Sequence, residues 1–184
     1  ESLSCPLDFD FPFYLGLAHH ESGTALRDYI LNKYPNFPTS WTELRNEKIK
    51  IYSSLLHKEP LELLSGVAEM ISILEAKNIP MCIVTNSPRE DILAICRKKE
   101  ALQKIKILIT REDYKNPKPS PDAYLKALEL FPESSTENFI GFEDSLKGIA
   151  ALQKAKIPPI LICPSNHPQL IDIKGIHHYS SMLE

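Results

Sequence analysis

No run of apolar residues in this chain approaches the roughly 18–20 needed to cross a bilayer, and no secretory leader opens it. Strong charge of either sign is also missing. The 21 Lys and Arg against 24 Asp and Glu leave a net −3, so no long-range field draws the chain to nucleic acid or to an anionic membrane. Cysteine is sparse: there are four, and Cys82 and Cys163 lie in apolar, strand-like runs. That usage predicts reduced thiols in a cytoplasmic protein and argues against a disulfide framework. There is no internal repeat and no low-complexity tract. Methionine is absent from position 1, where Glu1 stands, and the expectation is a processed chain or part of a longer one. What is present is ordinary for a globular protein, with 43% hydrophobic and 24% charged residues. The 184 residues suit one domain, or a core domain with a small appendage.

From about residue 60 onward, apolar runs alternate with helical periodicity. LELLSGVAEMISILEAK predicts a helix, and Ile79 to Val84 is a short continuous apolar run of the kind a buried parallel strand takes. REDILAICRKKEAL is helical again and IKILI is a second strand. SPDAYLKALEL opens with Ser120 as an expected N-cap ahead of Pro121. NFIGF, SLKGIAALQKA and PPILIC follow as strand, helix and strand, and KGIHHYSS is the expected last strand. Strands alternating with helices of this length imply right-handed crossovers and a doubly wound parallel sheet, an α/β core over residues 61–184. The first sixty residues read differently. TALRDYILNKY and SWTELRNEKIKIYSSLLHK are amphipathic helices with the turn-rich PNFPTS between them, and no strand separates them. Residues 1–60 are therefore expected to form a small helical cap.

Ligands of open α/β sheets bind at the carboxyl ends of the strands, and three strand exits here carry suitable groups. IVTNS places Thr85 and Asn86 just past one strand, with a hydroxyl and backbone amides for an anion. The simpler reading is a strand end capped before the next helix. NPKPSPD holds Lys118 between two prolines, which restrict the backbone and present an ammonium as a point charge. A solvated turn lysine is the alternative. NFIGFEDSLKG sets Glu143 and Asp144 at a strand exit, two hard oxygen donors of the kind Mg²⁺ accepts, or else acids favoured by the following helix dipole.

Taken together, Thr85, the KPSPD string and the GFEDS string resemble the haloacid dehalogenase superfamily over essentially the whole chain. Within it the closest pattern is the phosphatase and β-phosphoglucomutase-like branch, with a Rossmann-like core and a helical cap. The resemblance implies that Thr85 binds the transferring phosphoryl group, that Lys118 neutralises nucleophile and phosphate, that Asn86 belongs to the same catalytic set, and that Glu143 and Asp144 bind Mg²⁺, directly or through water. The implied reaction is Mg²⁺-dependent hydrolysis of a small phosphorylated metabolite through an aspartyl phosphate. A response-regulator receiver uses the same residue types, but its acidic pair precedes its Thr and Lys; here the pair follows both. The alternative of another class is a catalytically silent relative that binds a phosphorylated ligand or a protein partner.

That reaction begins with two aspartates one residue apart at the exit of the first strand. Asp8 and Asp10, in CPLDFDFPF, have the spacing but not the setting. Only three residues lead in, Pro6 suits a central strand poorly, and phenylalanines and proline stand where a tight turn is needed. The pair is read as an imitation, a loop of two solvated acids with buried phenylalanines. YLGLAHHESG instead resembles the cap loop that faces the active site, with His19 or His20 as the substrate-binding residue. The nucleophile strand is then expected upstream, between the strands that end at Thr85 and Phe142, and residues 1–184 alone are expected to be inactive and to leave that sheet incomplete. His177 and His178, His57, Trp41 and Cys96 are assigned structural or surface roles.

Overall fold

The computed structural model describes residues 10–20, 24–35, 40–132, 135–165, 170 and 175–183; Asp8 lies outside them. Within residues 1–60 it has three helices, one more than the periodicity predicts: α1 (Phe11–Ala18), α2 (Ala25–Lys33) and α3 (Trp41–Lys58). The stretch FPFYLGLA has no polar face, so no 3.6-residue period marks it as helical. Its helix is set by its start. The Asp10 carboxylate accepts from the Phe13 amide at 2.8 Å, and proline in the first turn forfeits no intrahelical bond. Asp10 is thus an N-cap. Phe13 is 44% exposed, with its ring edge-on to Tyr29. Helix α3 begins with a capping box, in which the Glu43 amide donates to Ser40 Oγ at 3.2 Å and the Ser40 amide to Glu43 Oε2 at 2.9 Å.

The remainder alternates as the sequence implies. Helix α4 (Val67–Ala76) leads to β1 (Cys82–Val84). Helices α5 (Arg89–Lys98) and α6 (Glu100–Gln103) precede β2 (Ile107–Ile109), and α7 (Asp122–Leu128) precedes β3 (Gly141–Glu143). Helix α8 (Leu146–Lys154), β4 (Pro159–Ile162) and β5 (His177–Tyr179) complete the order. Ser120 is not the cap of α7. Its hydroxyl donates to the Asp122 carboxylate, which also collects the Asn116 amide at 2.9 Å, and the helix starts one residue after Pro121. Donors of the preceding loop have outcompeted the cap.

Every strand pairing is parallel: β1 with β2, β3 with β4, and β4 with β5. The two groups form separate sheets, β1–β2 and β3–β4–β5. Among the described residues no strand joins β1 to β3. Between them lies a cavity of about 160 Å³, lined by Cys82 and Val84 on one side and Gly141 and Phe142 on the other, with Tyr124 and Leu152 from the helices. The halves are held together by packing of α7 and α8, where Tyr124, Ala151, Leu152, Ala155 and Ile157 form one buried cluster against Val84 and Phe139. Leu152 and Leu161 are fully buried, each worth about 1.5–3 kcal/mol relative to exposure. Gly141 is required by this closeness, because a Cβ there would stand 2.2 Å from Leu152 Cδ2. Cys82, Cys96 and Cys163 are free thiols. Helix α3 meets α5 where Ser53 Oγ donates to Asp91 Oδ1 at 2.9 Å. No described helix is long and apolar enough to cross a membrane.

Candidate active site

Residues from the β1 exit, the loop before α7 and the β3 exit converge at one end of the open seam. Lys118 is central and, far from being solvated, is 8% exposed. Its ammonium donates to the Val84 carbonyl at 2.7 Å and to the Tyr124 hydroxyl at 3.0 Å, and it pairs with Glu143 Oε1. It therefore spans from the last residue of β1 to the last residue of β3. The Tyr124 hydroxyl also donates to Glu143 Oε1, and burial first, then the Glu143 charge, pushes its pKa far above the ordinary phenol value. A buried ammonium is tolerated because each of its protons has an oxygen to face.

The loop carrying Lys118 is held by Asn86. Asn86 Oδ1 accepts from the Lys118 amide at 3.0 Å, and Asn86 Nδ2 donates to the Lys118 carbonyl at 3.4 Å. Tyr114 clamps the same corner, its hydroxyl lying 2.7 Å from the Thr85 carbonyl and 2.8 Å from Asn86 Oδ1. Burial pushes the Tyr114 pKa up to about 12. Thr85 Oγ1 accepts from the Ser87 amide at 3.1 Å, which leaves the hydroxyl proton to donate to an anion. Asn86, assigned from the sequence to the catalytic set, spends its side chain on the lysine loop.

Glu143 is held from the other side by α8. A Cβ on Gly148 would fall 2.0 Å from Glu143 Oε2, so only glycine leaves room for the carboxylate there. Ser145 caps α8 by accepting from the Gly148 amide at 3.2 Å. Asp144, between β3 and the Ser145 N-cap, is exposed. Among the described residues no three His, Cys, Asp or Glu side chains gather as a ready metal cluster. Two adjacent carboxylates still fit the chemistry of Mg²⁺, which takes one or two protein carboxylates and completes its octahedron with water and phosphate oxygens. Asp144 is the better donor of the two, since Glu143 Oε1 already serves Lys118 and Tyr124.

The end of helix α1 reaches the same corner. The turn ending α1 sits on the start of α8: the Lys147 amide donates to the His19 carbonyl at 3.3 Å and its ammonium to the Ala18 carbonyl at 2.9 Å. His20 follows, half-buried. Lys118, Thr85, Asn86, Glu143 and Asp144 are thus brought to one place, with the His19 turn beside them.

The sequence profile of the haloacid dehalogenase-like hydrolases matches residues 18–162. The chain belongs to the haloacid dehalogenase-like hydrolases. Among curated relatives, a phosphorylated-carbohydrates phosphatase of Thermotoga maritima is 29% identical over 117 residues, covering 64% of this chain and 51% of that protein. The CbbY protein of Rhodobacter capsulatus is 28% identical over 131 residues, 68% of this chain and 56% of the relative. The chain therefore spans about half the length of the curated relatives it matches. Among solved structures, CbbY of Rhodobacter sphaeroides in complex with xylulose-(1,5)bisphosphate superimposes with a TM-score of 0.77 at 20% identity, over 100% of this chain and 82% of that one. A haloacid dehalogenase hydrolase of Entamoeba histolytica gives 0.74 at 26% identity, over 97% and 79%. The fold is that of these Rossmann-like hydrolases.

Tyr114, Tyr124 and Lys147 were not singled out in the sequence of this haloacid dehalogenase-like hydrolase. Tyr124 stands six residues past Lys118 on a helix whose apolar face reads simply as core. Its hydroxyl is the polar handle that a buried tyrosine must satisfy, and only packing reveals where.

Proposed function

We propose that this protein hydrolyses a small phosphate monoester with Mg²⁺, and that the segment described here supplies all of the site except its nucleophile. The observation that carries the reading is the buried Lys118, which lies between the exits of β1 and β3 beside Thr85 and Asp144. An ammonium, a hydroxyl and a carboxylate pair at one sheet edge match the charge of a transferring phosphoryl group. The relatives named as phosphatases support phosphate esters as the substrate class.

The open seam supports the place of the missing part. A strand entering between β1 and β3 would pair both inner edges and end beside Lys118. An aspartate at its exit, encoded upstream, attacks phosphorus while the ester P–O bond breaks, and a second aspartate protonates the leaving alcohol. Water then attacks the aspartyl phosphate, its proton passing to that second aspartate, and releases inorganic phosphate. Asp144 and Glu143 would hold Mg²⁺, which when bound would supply charge neutralisation for the transferring phosphoryl group. Thr85 donates to one of those oxygens, Lys118 offsets the charge of nucleophile and phosphate, and Asn86 fixes the lysine loop. His19 and His20 face the rest of the substrate from the cap turn.

The test is turnover of para-nitrophenyl phosphate by the full-length protein with and without Mg²⁺. Asp144→Ala is expected to lower kcat/KM by about a hundredfold or more, in line with the loss of a metal ligand's charge stabilisation. Wild-type activity untouched by chelation and by this substitution would overturn the metal assignment. Binding of inorganic phosphate without any turnover would favour the silent relative instead.

A further inference from the structure

We propose that Lys147 is the positioning residue that seats the cap turn over the phosphoryl site and so sets which substrates fit. The inference rests on the proposed phosphatase site, and it concerns a residue three positions past Asp144 that no sequence motif marked. Lys147 belongs to the first turn of α8 and makes two bonds to the same short stretch of the cap. Its ammonium takes the Ala18 carbonyl at 2.9 Å and its backbone amide takes the His19 carbonyl at 3.3 Å. Both carbonyls sit at the C-terminal end of α1, where the last C=O groups have no intrahelical partner. A cation there also meets the negative end of the helix dipole. One core residue thereby completes the end of a cap helix.

The Lys147 side chain lies among charges of both signs. Lys147 is half-buried, and burial pushes its pKa below the ordinary lysine value. Lys48 of α3 and Lys118 add repulsion, whereas Asp144 and Glu143 attract the ammonium. The Ala18 carbonyl gives the ammonium an oxygen partner at 2.9 Å among these opposing charges. Seated on it, the side chain ties His19 and the turn before His20 to the helix that begins at the acidic pair. The depth of that turn is the space left for the part of the substrate beyond the transferring phosphate.

Lys147→Met keeps length and apolar stem while removing the donor, and Lys147→Arg restores a cation. In the full-length protein, amide hydrogen exchange of α1 is expected to rise about tenfold in Lys147→Met, since a lost bond to a charged donor is worth at least that factor. Exchange in α8 and β4 should stay put, and Lys147→Arg should return α1 towards wild type. With fructose bisphosphate as substrate, KM is expected to rise about tenfold with little change in kcat; Lys147→Arg should recover most of it. Unaltered α1 exchange in Lys147→Met would overturn the proposal. So would a fall in kcat on para-nitrophenyl phosphate and fructose bisphosphate alike with KM constant, because that places Lys147 on the phosphoryl group. Should the wild type hydrolyse no phosphate ester, the exchange measurement still decides the seating while the phosphatase reading fails separately. If Lys147→Met does not fold, Lys147→Leu carries the same comparison, again without a donor.

Discussion

Lys118 shows how burial changes the meaning of a residue. In the sequence it is a loop lysine between prolines; in the fold its side chain is 7% exposed and pairs with Glu143 at 8%. Charges so enclosed interact strongly, and removing one strands the other. Lys118→Met is therefore expected to lower stability by about 3–5 kcal/mol, read from urea unfolding midpoints. Pairing it with Glu143→Leu should recover most of that loss, because the uncompensated carboxylate is then gone as well. Tyr114 gives a pH signature on the alkaline side. Its pKa is raised to about 12 from an ordinary value of 10.0. The folded state thus keeps a proton that the unfolded state has lost, and stability falls as pH rises through that interval. Tyr114→Phe should flatten this alkaline loss in a pH series of thermal unfolding. At neutral pH the same variant should be less stable, having lost the bonds to Thr85 and Asn86.

At the scale of elements, helix starts and close approaches decide the site. Helix α8 begins on Ser145 directly after the acidic pair, and its Gly148 leaves the gap into which the Glu143 carboxylate fits. Gly148→Ala is expected to displace Glu143, with a cost of about 1–3 kcal/mol for overpacking. Loss of phosphatase activity should accompany it. Circular dichroism melts and turnover measured side by side would separate the two effects; full activity in a normally folded variant would contradict the need for that space. Helix α1 makes the complementary point. Asp10 and Pro12 are both good starting residues for a helix, yet the apolar run that follows hides any period. The motif-bearing strand exits were legible because polar residues there interrupt apolar runs. Tyr124 and Lys147 were not, because one lies on a core face and the other on an ordinary helix start.

For the whole molecule, the divided sheet is the decisive feature. Among the described residues β4 pairs on both sides, while β1 and β3 each pair with a strand on one side and face the seam with the other. Backbone groups left without partners open more readily than those in a complete ladder. In the 184-residue chain, amides of Val84 and Phe142 should exchange faster than those of Leu161. In a chain that carries a strand in the seam, the difference should vanish. Equal, slow exchange in both would contradict the proposed entry of a strand between β1 and β3.

The α/β class, the alternation of strands and helices after residue 60 and the five candidate polar residues in the segments that follow strands were determined by the sequence itself, since apolar periodicity and turn chemistry are local. The union of those five residues was decided only by tertiary structure. Parallel strands are joined through helical crossovers, so their exits meet across long stretches of chain, and no local pattern encodes that meeting. The same holds for Lys147 and the cap, 129 positions apart in the chain and 2.9 Å apart in space.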